Sequence, residues 1–135
     1  MHESMDRLKM LCDRFDVVCL GSSGEFSTPA GKKWWVRMDA AMMAICDNRG
    51  HPPCKLHGLR MLNPEIFSRI PLSSADSTNA CRNSCSYDRF GIYVPPSRSA
   101  RAEIIAQRIE IHNSPAIYVT KQKQKMLTFQ FIEDE

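Results

Sequence analysis

No apolar run in the 135 residues approaches the ~20 residues that are needed to span a bilayer, and no signal peptide precedes the first helical pattern. Internal repeats and low-complexity segments are also missing. These features predict a protein without membrane contact. The six cysteines are then expected to be thiols in the reducing cytoplasm, with Cys12, Cys19 and Cys46 as small core residues because their neighbours are apolar.

Several chemical signatures are incomplete. Gly21-Ser-Ser-Gly24 has neither the third glycine nor the immediate helix of a dinucleotide fingerprint. Cys81-x-x-x-Cys85 has no second cysteine pair, whereas a structural zinc site requires four ligands. A Ser-His-Asp order and a metalloprotease helix motif do not occur. We therefore expect neither a metal nor a cofactor.

The composition is that of an ordinary folded domain, with 43% hydrophobic and 24% charged residues. The chain suits one domain over residues 1–135, about half the ~250 residues of a complete eight-fold barrel. Its net charge of +3 is small, and the basic residues concentrate at two places. These are Arg98 with Arg101, and Lys121 with Lys123 and Lys125, which either contact phosphates or form solvated surface.

Helical and strand patterns alternate along the chain. Helices are predicted over residues 5–15, over the stripe from Trp34 to Ile45, after the Asn63 cap, and over 99–112; strands are predicted over 16–20, 55–59 and 71–75. Residues 116–119 and 126–132 form either two further strands or loose ends. This alternation predicts an α/β fold built from parallel βαβ units.

Each predicted strand ends in polar residues. The first leads into Gly21, Ser22, Ser23, Gly24 and Glu25, the second contains His57 and continues to Arg60, and the third contains Ser74 and ends at Asp76. Because the carboxyl ends of parallel strands meet at one edge of a sheet, we expect these residues to form a site.

Two interpretations stay open for the main candidates. Asp76 is either a nucleophilic carboxylate or the N-cap of a following helix. His57 is either a hydrogen-bonded core histidine or a catalytic group, and Arg60 either binds a phosphate or forms an exposed ion pair. The turn from Gly21 to Gly24 either admits a planar ring or phosphate to its backbone or is a tight strand exit.

Three segments taken in order resemble the tRNA-guanine transglycosylase family, which includes the queuine tRNA-ribosyltransferase-like proteins of bacteria and phages. They are Val17-Val-Cys-Leu-Gly-Ser-Ser-Gly-Glu25, Leu56-His-Gly-Leu-Arg-Met-Leu-Asn-Pro-Glu-Ile-Phe67 and Pro71-Leu-Ser-Ser-Ala-Asp-Ser-Thr78, followed by Ala80-Cys-Arg-Asn83. The resemblance implies the C-terminal half of a TIM-type (β/α) barrel with parallel strands. It also implies a pentosyltransferase that exchanges guanine for a 7-deazaguanine-type base in DNA or tRNA.

On this resemblance Asp76 attacks the sugar, and the turn from Gly21 to Glu25 holds the purine-like base. His57, Arg60 and Ser74 are the further candidates for substrate binding. Candidates for contact with nucleic acid are Arg82, Arg98 and Arg101.

A half barrel has open sheet edges, which usually require a partner. We therefore expect a homo-oligomer or a hetero-complex that completes the barrel. The alternatives are a non-catalytic module that binds a nucleotide or modified purine, and a phage-host interaction protein derived from a truncated barrel.

Overall fold

A computed structural model describes residues 3–120 and shows an α/β arrangement. The helices are α1 (Met5–Arg14), α2 (Lys32–Ile45), α3 (Pro64–Phe67), α4 (Asn79–Asn83) and α5 (Arg98–Glu110), and the strands are β1 (Val17–Leu20), β2 (Lys55–Gly58) and β3 (Ser74–Ala75). Single 3₁₀ turns occupy Gly24–Phe26 and Asp88–Phe90. Among the described helices, none is long and apolar enough to cross a bilayer.

The strands form one parallel sheet in the order β1-β2-β3. Val17 lies opposite Lys55 and Leu20 opposite Gly58, while His57 lies opposite Ser74. Each pair of neighbouring strands is also consecutive in the chain, with helical segments between them. The predicted α/β class and the parallel strands are therefore confirmed for the described part of the chain.

One face of the sheet is covered by the hydrophobic core. Val18, Leu20 and Leu56 point to this face and are at most 6% exposed. They belong to the same core as the apolar stripe of α2, whose members are Trp34, Met38, Ala41, Met42 and Ile45. The helical spacing of that stripe predicted its burial, and the structure confirms the prediction.

The opposite face of the sheet is uncovered in the described chain. Side chains alternate between the two faces of a strand, so Val17, Cys19, Lys55 and Ser74 are exposed and His57 is half-buried. The expectation that Cys19 lies in the core is wrong. Cys19 has apolar neighbours, but it occupies the alternate position that faces away from the core, between Val18 and Leu20.

The third strand is shorter than predicted, since only Ser74–Ala75 of residues 71–75 is strand. Pro71 has no N–H to donate, and the Leu72 N–H donates to Ser114 Oγ at 3.1 Å rather than to a strand.

Of the two alternatives for residues 116–119, the strand does not form. The backbone N–H of Tyr118 donates to the Gly50 carbonyl at 2.7 Å, and its hydroxyl donates to Asp39 Oδ1 at 2.5 Å. These bonds tie the segment to the side of α2 and to the loop after it instead of to a sheet edge. The second tail segment, residues 126–132, for which the same two alternatives were open, lies outside the described residues.

Candidate functional site

The loops that follow the strands meet at one polar groove of about 830 Å³. Backbone bonds draw the loops together: the Leu59 N–H donates to the Leu20 carbonyl at 2.9 Å, and the Asp76 N–H donates to the Gly58 carbonyl at 3.1 Å. The groove is lined, among others, by Ser22, Arg60, Asp76, Asn79 and Arg82. Residues that follow all three strands therefore share a single surface, as the parallel order predicted.

Asp76 places a fixed carboxylate on this surface. Its Oδ1 accepts a 2.7 Å hydrogen bond from the backbone N–H of Arg60, and its carbonyl accepts from the Leu62 N–H at 3.1 Å. The side chain is nevertheless 57% exposed. The carboxylate is held by one oxygen while the group stays open to solvent and to the groove.

The alternative role of Asp76 as a helix cap is not what the structure shows. The cap residue of α4 is Thr78, and the side chain that accepts from the Asn79 N–H, at 3.0 Å, is that of Ser77. Asp76 directs its carboxylate across the sheet to Arg60 instead.

Arg60 adopts a backbone conformation that non-glycine residues rarely adopt, with φ at 62°. A side chain in the left-handed region costs roughly 1–2 kcal/mol, because Cβ approaches the following carbonyl. This conformation accompanies the bond from the Arg60 amide to the carboxylate of Asp76. Arg60 lines the groove and is exposed, which leaves the residue accessible to an anionic ligand.

His57 lies close to two polar residues, Ser74 on β3 and Asp76 directly after that strand. Its Nδ1 lies 2.8 Å from Ser74 Oγ, and its Nε2 lies 3.7 Å from Asp76 Oδ2. The parallel register produces this arrangement by placing His57 opposite Ser74. His57 is therefore a half-buried residue of the uncovered sheet face rather than a core histidine, with one ring nitrogen directed at the carboxylate.

The contacts among Ser74, His57 and Asp76 connect the same residue types as a serine hydrolase triad. In such a triad the carboxylate is buried and hydrogen-bonded to the imidazole, and it orients that ring for an accessible serine. The Asp76 carboxylate is more than half exposed instead, and 3.7 Å is longer than a hydrogen bond. The arrangement is better suited to chemistry at the carboxylate itself.

A side chain of α2 anchors the turn after β1. Trp34 Nε1 donates to Ser22 Oγ at 2.8 Å, which ties the turn to the buried start of α2. Of residues 21–25, Ser22 lines the groove. Gly24 has a left-handed φ of 57° and opens a 3₁₀ turn with Glu25, whose side chain is exposed. The left-handed φ, rather than crowding, favours glycine here, since an added Cβ would meet nothing within 4 Å.

The three arginines predicted to contact nucleic acid have different environments. Arg82 is exposed on α4 and lines the groove beside Asp76. Arg98 is exposed, and its guanidinium donates to Ser84 Oγ and to the Cys81 carbonyl, both at 3.3 Å. The exposure of Arg82 and Arg98 is compatible with contact with nucleic acid, which stays a prediction for both.

Arg101 is only 7% exposed and needs a correction. Its guanidinium donates to the carbonyls of Ser84 at 2.6 Å, Pro95 at 2.8 Å and Pro96 at 3.1 Å. A buried guanidinium already bonded to three carbonyls is not presented to a phosphate, so this residue holds the protein together instead. The prediction that Arg101 contacts nucleic acid assumed an exposed side chain, because arginine is usually exposed in folded proteins.

Helix α4 contributes two groove residues that the sequence reading did not single out, Asn79 and Asn83. Their side chains are hydrogen-bonded to each other, and Asn79 Nδ2 also donates to the Leu62 carbonyl at 3.3 Å. Residues 79, 82 and 83 lie on one side of a helix because of their spacing. If a helix had been predicted over residues 79–83, this spacing would have placed the two asparagines beside Arg82.

A cluster of thiols lies away from the groove. Burial raises the pKa of Cys12 to about 12, and the neighbouring Cys54 side chain adds to the effect through a hydrogen bond. Burial likewise raises the pKa of Cys46 to about 11, with a contribution from the charge of Asp47. These thiols stay protonated at neutral pH, as structural rather than reactive cysteines do.

Within residues 3–120, no group of three or more His, Cys, Asp and Glu side chains is placed to hold a metal ion. Cys81 and Cys85 are both exposed free thiols. No family model matches the sequence, and neither a curated protein nor a solved structure matches the chain.

Proposed function

We propose that the chain supplies the nucleophile of an enzyme that exchanges guanine for a 7-deazaguanine-type base in DNA or tRNA. The observation that carries this proposal is the Asp76 carboxylate, which is fixed at Oδ1 by the Arg60 amide and is 57% exposed beside a groove of about 830 Å³. A nucleophilic carboxylate needs both a fixed direction and access to substrate. The resemblance of residues 17–25, 56–67 and 71–83 to the transglycosylases supports the same assignment.

The proposed reaction consists of two displacements at the sugar. Asp76 Oδ2 attacks the anomeric carbon, the bond from carbon to the guanine nitrogen breaks, and the departing base takes up a proton. The resulting ester is attacked by a ring nitrogen of the incoming base, which loses its proton as the bond to Oδ2 breaks. The carboxylate is restored, and the scheme includes neither an oxidant nor a cofactor.

Substrate binding is assigned to the residues around Asp76. The turn from Gly21 to Glu25 would hold the base through its backbone, with Ser22 nearest to the groove. His57 and Ser74 would contact the sugar or base beside the carboxylate. Exposed Arg60 and Arg82 both line the groove, where a guanidinium can bind phosphate with two hydrogen bonds.

The proposed architecture is the C-terminal half of a TIM-type barrel. In such a barrel the helices cover the outer face, and the inner face and both sheet edges meet further strands. The uncovered face with Val17 and Cys19 and the edge strands β1 and β3 are compatible with that arrangement. The missing strands would come from a second copy or from another chain, in the cytoplasm.

A second candidate function is a non-catalytic module, either for purine or nucleotide binding or for a phage-host contact. The observation that favours it is the exposed apolar surface at the start of β1, where Phe15 is 50% and Val17 is 53% exposed. Such a module would bind a purine-like base equally well after Asp76→Asn and would form no covalent adduct.

Incorporation of an isotopically labelled 7-deazaguanine-type base into DNA and tRNA tests the proposal. The native assembly should incorporate the label, and Asp76→Asn should abolish incorporation. Asp16→Asn, an exposed aspartate before β1 and away from the groove, is the matched control and should retain it. Equal incorporation by the Asp76 and Asp16 variants would overturn the assignment.

A further inference from the structure

The segment between α4 and α5 exposes three large side chains. Tyr87 is 63% exposed, Ile92 is fully exposed, and Tyr93 is 76% exposed. Ile92 and Tyr93 directly follow Gly91, whose left-handed φ of 68° turns the chain. Large apolar side chains exposed together usually mark a surface that binds something.

The backbone beneath these side chains is held by α5. The buried Arg101 donates to the carbonyls of Ser84, Pro95 and Pro96, at both ends of the segment. Arg108 donates to the Arg89 carbonyl at 2.8 Å, and its guanidinium also lies over the ring of the buried Phe90. Ile92 and Tyr93 therefore lie on a backbone segment that hydrogen bonds from α5 hold in place. The buried guanidinium of Arg101 has a role in keeping them in place.

The charge around the segment indicates which kind of molecule it binds. Residues 80–98 contain the exposed arginines Arg82, Arg89 and Arg98 and one acidic residue, Asp88, which gives a net charge of 3 − 1 = +2. Arg82 also lines the groove that contains Asp76, so this basic segment reaches the candidate site. Exposed arginines in the same segment as exposed aromatic and aliphatic side chains favour a nucleic acid partner.

We propose that Ile92 and Tyr93 form an apolar wedge that enters between neighbouring bases of a nucleic acid duplex and helps to extrude the base on which Asp76 acts. This inference rests on the proposed function. A base stacked inside a duplex cannot reach a side chain in a groove, so an enzyme that replaces it must first take it out of the stack. Inserted apolar side chains unstack neighbouring bases in this way, while arginines bind the flanking phosphates.

The test uses the native assembly and a duplex that contains 2-aminopurine, whose fluorescence rises when the base leaves the stack. Wild type should raise the fluorescence. The double variant Ile92→Ser, Tyr93→Ser should give no rise and should bind the duplex on the order of tenfold more weakly, because a stacking contact contributes about that factor. The matched control is Val36→Ser, Met43→Ser, which alters two apolar side chains on α2 that are 65% and 68% exposed.

The control should behave as wild type. An equal rise with the Ile92 and Tyr93 variant, an equal loss with the control, or no rise with wild type would each overturn the wedge. The wedge would also be overturned if the Ile92 and Tyr93 variant lost binding to a protein partner but still bound and unstacked the duplex as wild type does. Because the readout does not involve the carboxylate, Asp76→Asn should still raise the fluorescence. A fluorescence rise without base exchange would therefore contradict the proposed chemistry alone.

Discussion

The backbone N–H of Arg60 donates a 2.7 Å hydrogen bond to Oδ1 of Asp76, and Arg60 holds a left-handed φ of 62°. The carboxylate at the end of one strand is thus fixed by the loop that follows the neighbouring strand. The second oxygen, Oδ2, faces His57 Nε2 at 3.7 Å. This relationship connects an unusual backbone conformation with the group proposed to react.

Arg60→Gly and Arg60→Ala separate the backbone of this residue from its side chain. Both remove the guanidinium, but glycine accepts the left-handed φ without strain. Arg60→Gly is expected to be about 1 kcal/mol more stable than Arg60→Ala. Urea unfolding of the two variants measures the difference. If the alanine variant is equally stable, the left-handed conformation at residue 60 is contradicted.

Gly58→Ala tests the close packing beneath the site. A Cβ at this buried glycine would lie 2.8 Å from Leu72 Cδ1 and 2.9 Å from Met61 Cβ. Such overpacking is expected to lower the free energy of unfolding by roughly 1–3 kcal/mol. Gly21→Ala is the control, since its Cβ would lie 3.5 Å from Leu59 Cδ1 in ordinary contact. Thermal unfolding should show a lower midpoint for Gly58→Ala than for Gly21→Ala, and equal midpoints would argue against this packing.

Arg101→Ala should mainly lower the stability of the protein, whereas Arg82→Ala should mainly weaken its binding to nucleic acid. Loss of Arg101 leaves three carbonyls without their donor, so the variant should be destabilised by 2 kcal/mol or more, on the order expected for a buried charged network. Loss of the exposed Arg82 should change stability by less than about 0.5 kcal/mol. It should instead weaken nucleic acid binding and reduce its salt dependence by about one ion.

Denaturant unfolding and binding titrations at several salt concentrations distinguish the two arginines. A reduced salt dependence of binding by a fully stable Arg101 variant would show that its guanidinium reaches phosphate after all.

The raised thiol pKa values predict a loss of stability at alkaline pH. The pKa of Cys12 is raised to about 12 and that of Cys46 to about 11 in the fold, whereas unfolded thiols ionise near ~8.5. The two protonated thiols therefore make their full contribution to the free energy of unfolding at any pH below the pKa of the unfolded thiols. It is lost as the pH rises from about 9 towards the folded values, because ionisation then favours the unfolded chain.

Cys12→Ala should consequently flatten the fall of the unfolding free energy between about pH 9 and pH 11. Comparison with wild type at each pH cancels the titration of lysines and tyrosines. The same slope in both proteins would contradict the raised pKa.

Tyr118→Phe tests the bond that ties residues 111–120 to α2. The tyrosine hydroxyl donates to the Asp39 carboxylate at 2.5 Å, and a bond to a charged acceptor contributes about 1.5–3 kcal/mol. A loss of that size is expected in urea unfolding. Tyr93→Phe removes a hydroxyl from a ring that is 76% exposed and should leave stability unchanged. Equal stability of the two variants would show that the bond to Asp39 contributes nothing.

The sequence predicted the parallel strands and the edge of the sheet where the groove lies, because both depend on local patterns. Apolar residues in the segments 16–20 and 55–59 specify β1 and β2, and parallel order then brings His57 next to Ser74. The burial of Trp34 and Met38 follows from helical spacing.

Other features depend on contacts between distant parts of the chain. Cys19 is exposed because nothing in residues 3–120 covers its face of the sheet, which its neighbours in sequence do not reveal. Arg101 is buried because Ser84 and two consecutive prolines present carbonyls to it. Tyr118 does not join a strand, one of the two alternatives for its segment, because Asp39 of α2 and Gly50 of the loop after it provide its partners.

Intact-mass spectrometry of the native assembly, denatured after incubation with guanine-containing DNA or tRNA, tests the central claim most directly. The account predicts a covalent nucleic acid adduct on this chain that maps to Asp76, disappears when a 7-deazaguanine-type base is added in excess, and is absent from Asp76→Asn. An adduct that persists in Asp76→Asn or maps to another residue would contradict the claim. So would the absence of an adduct from wild type with both nucleic acids.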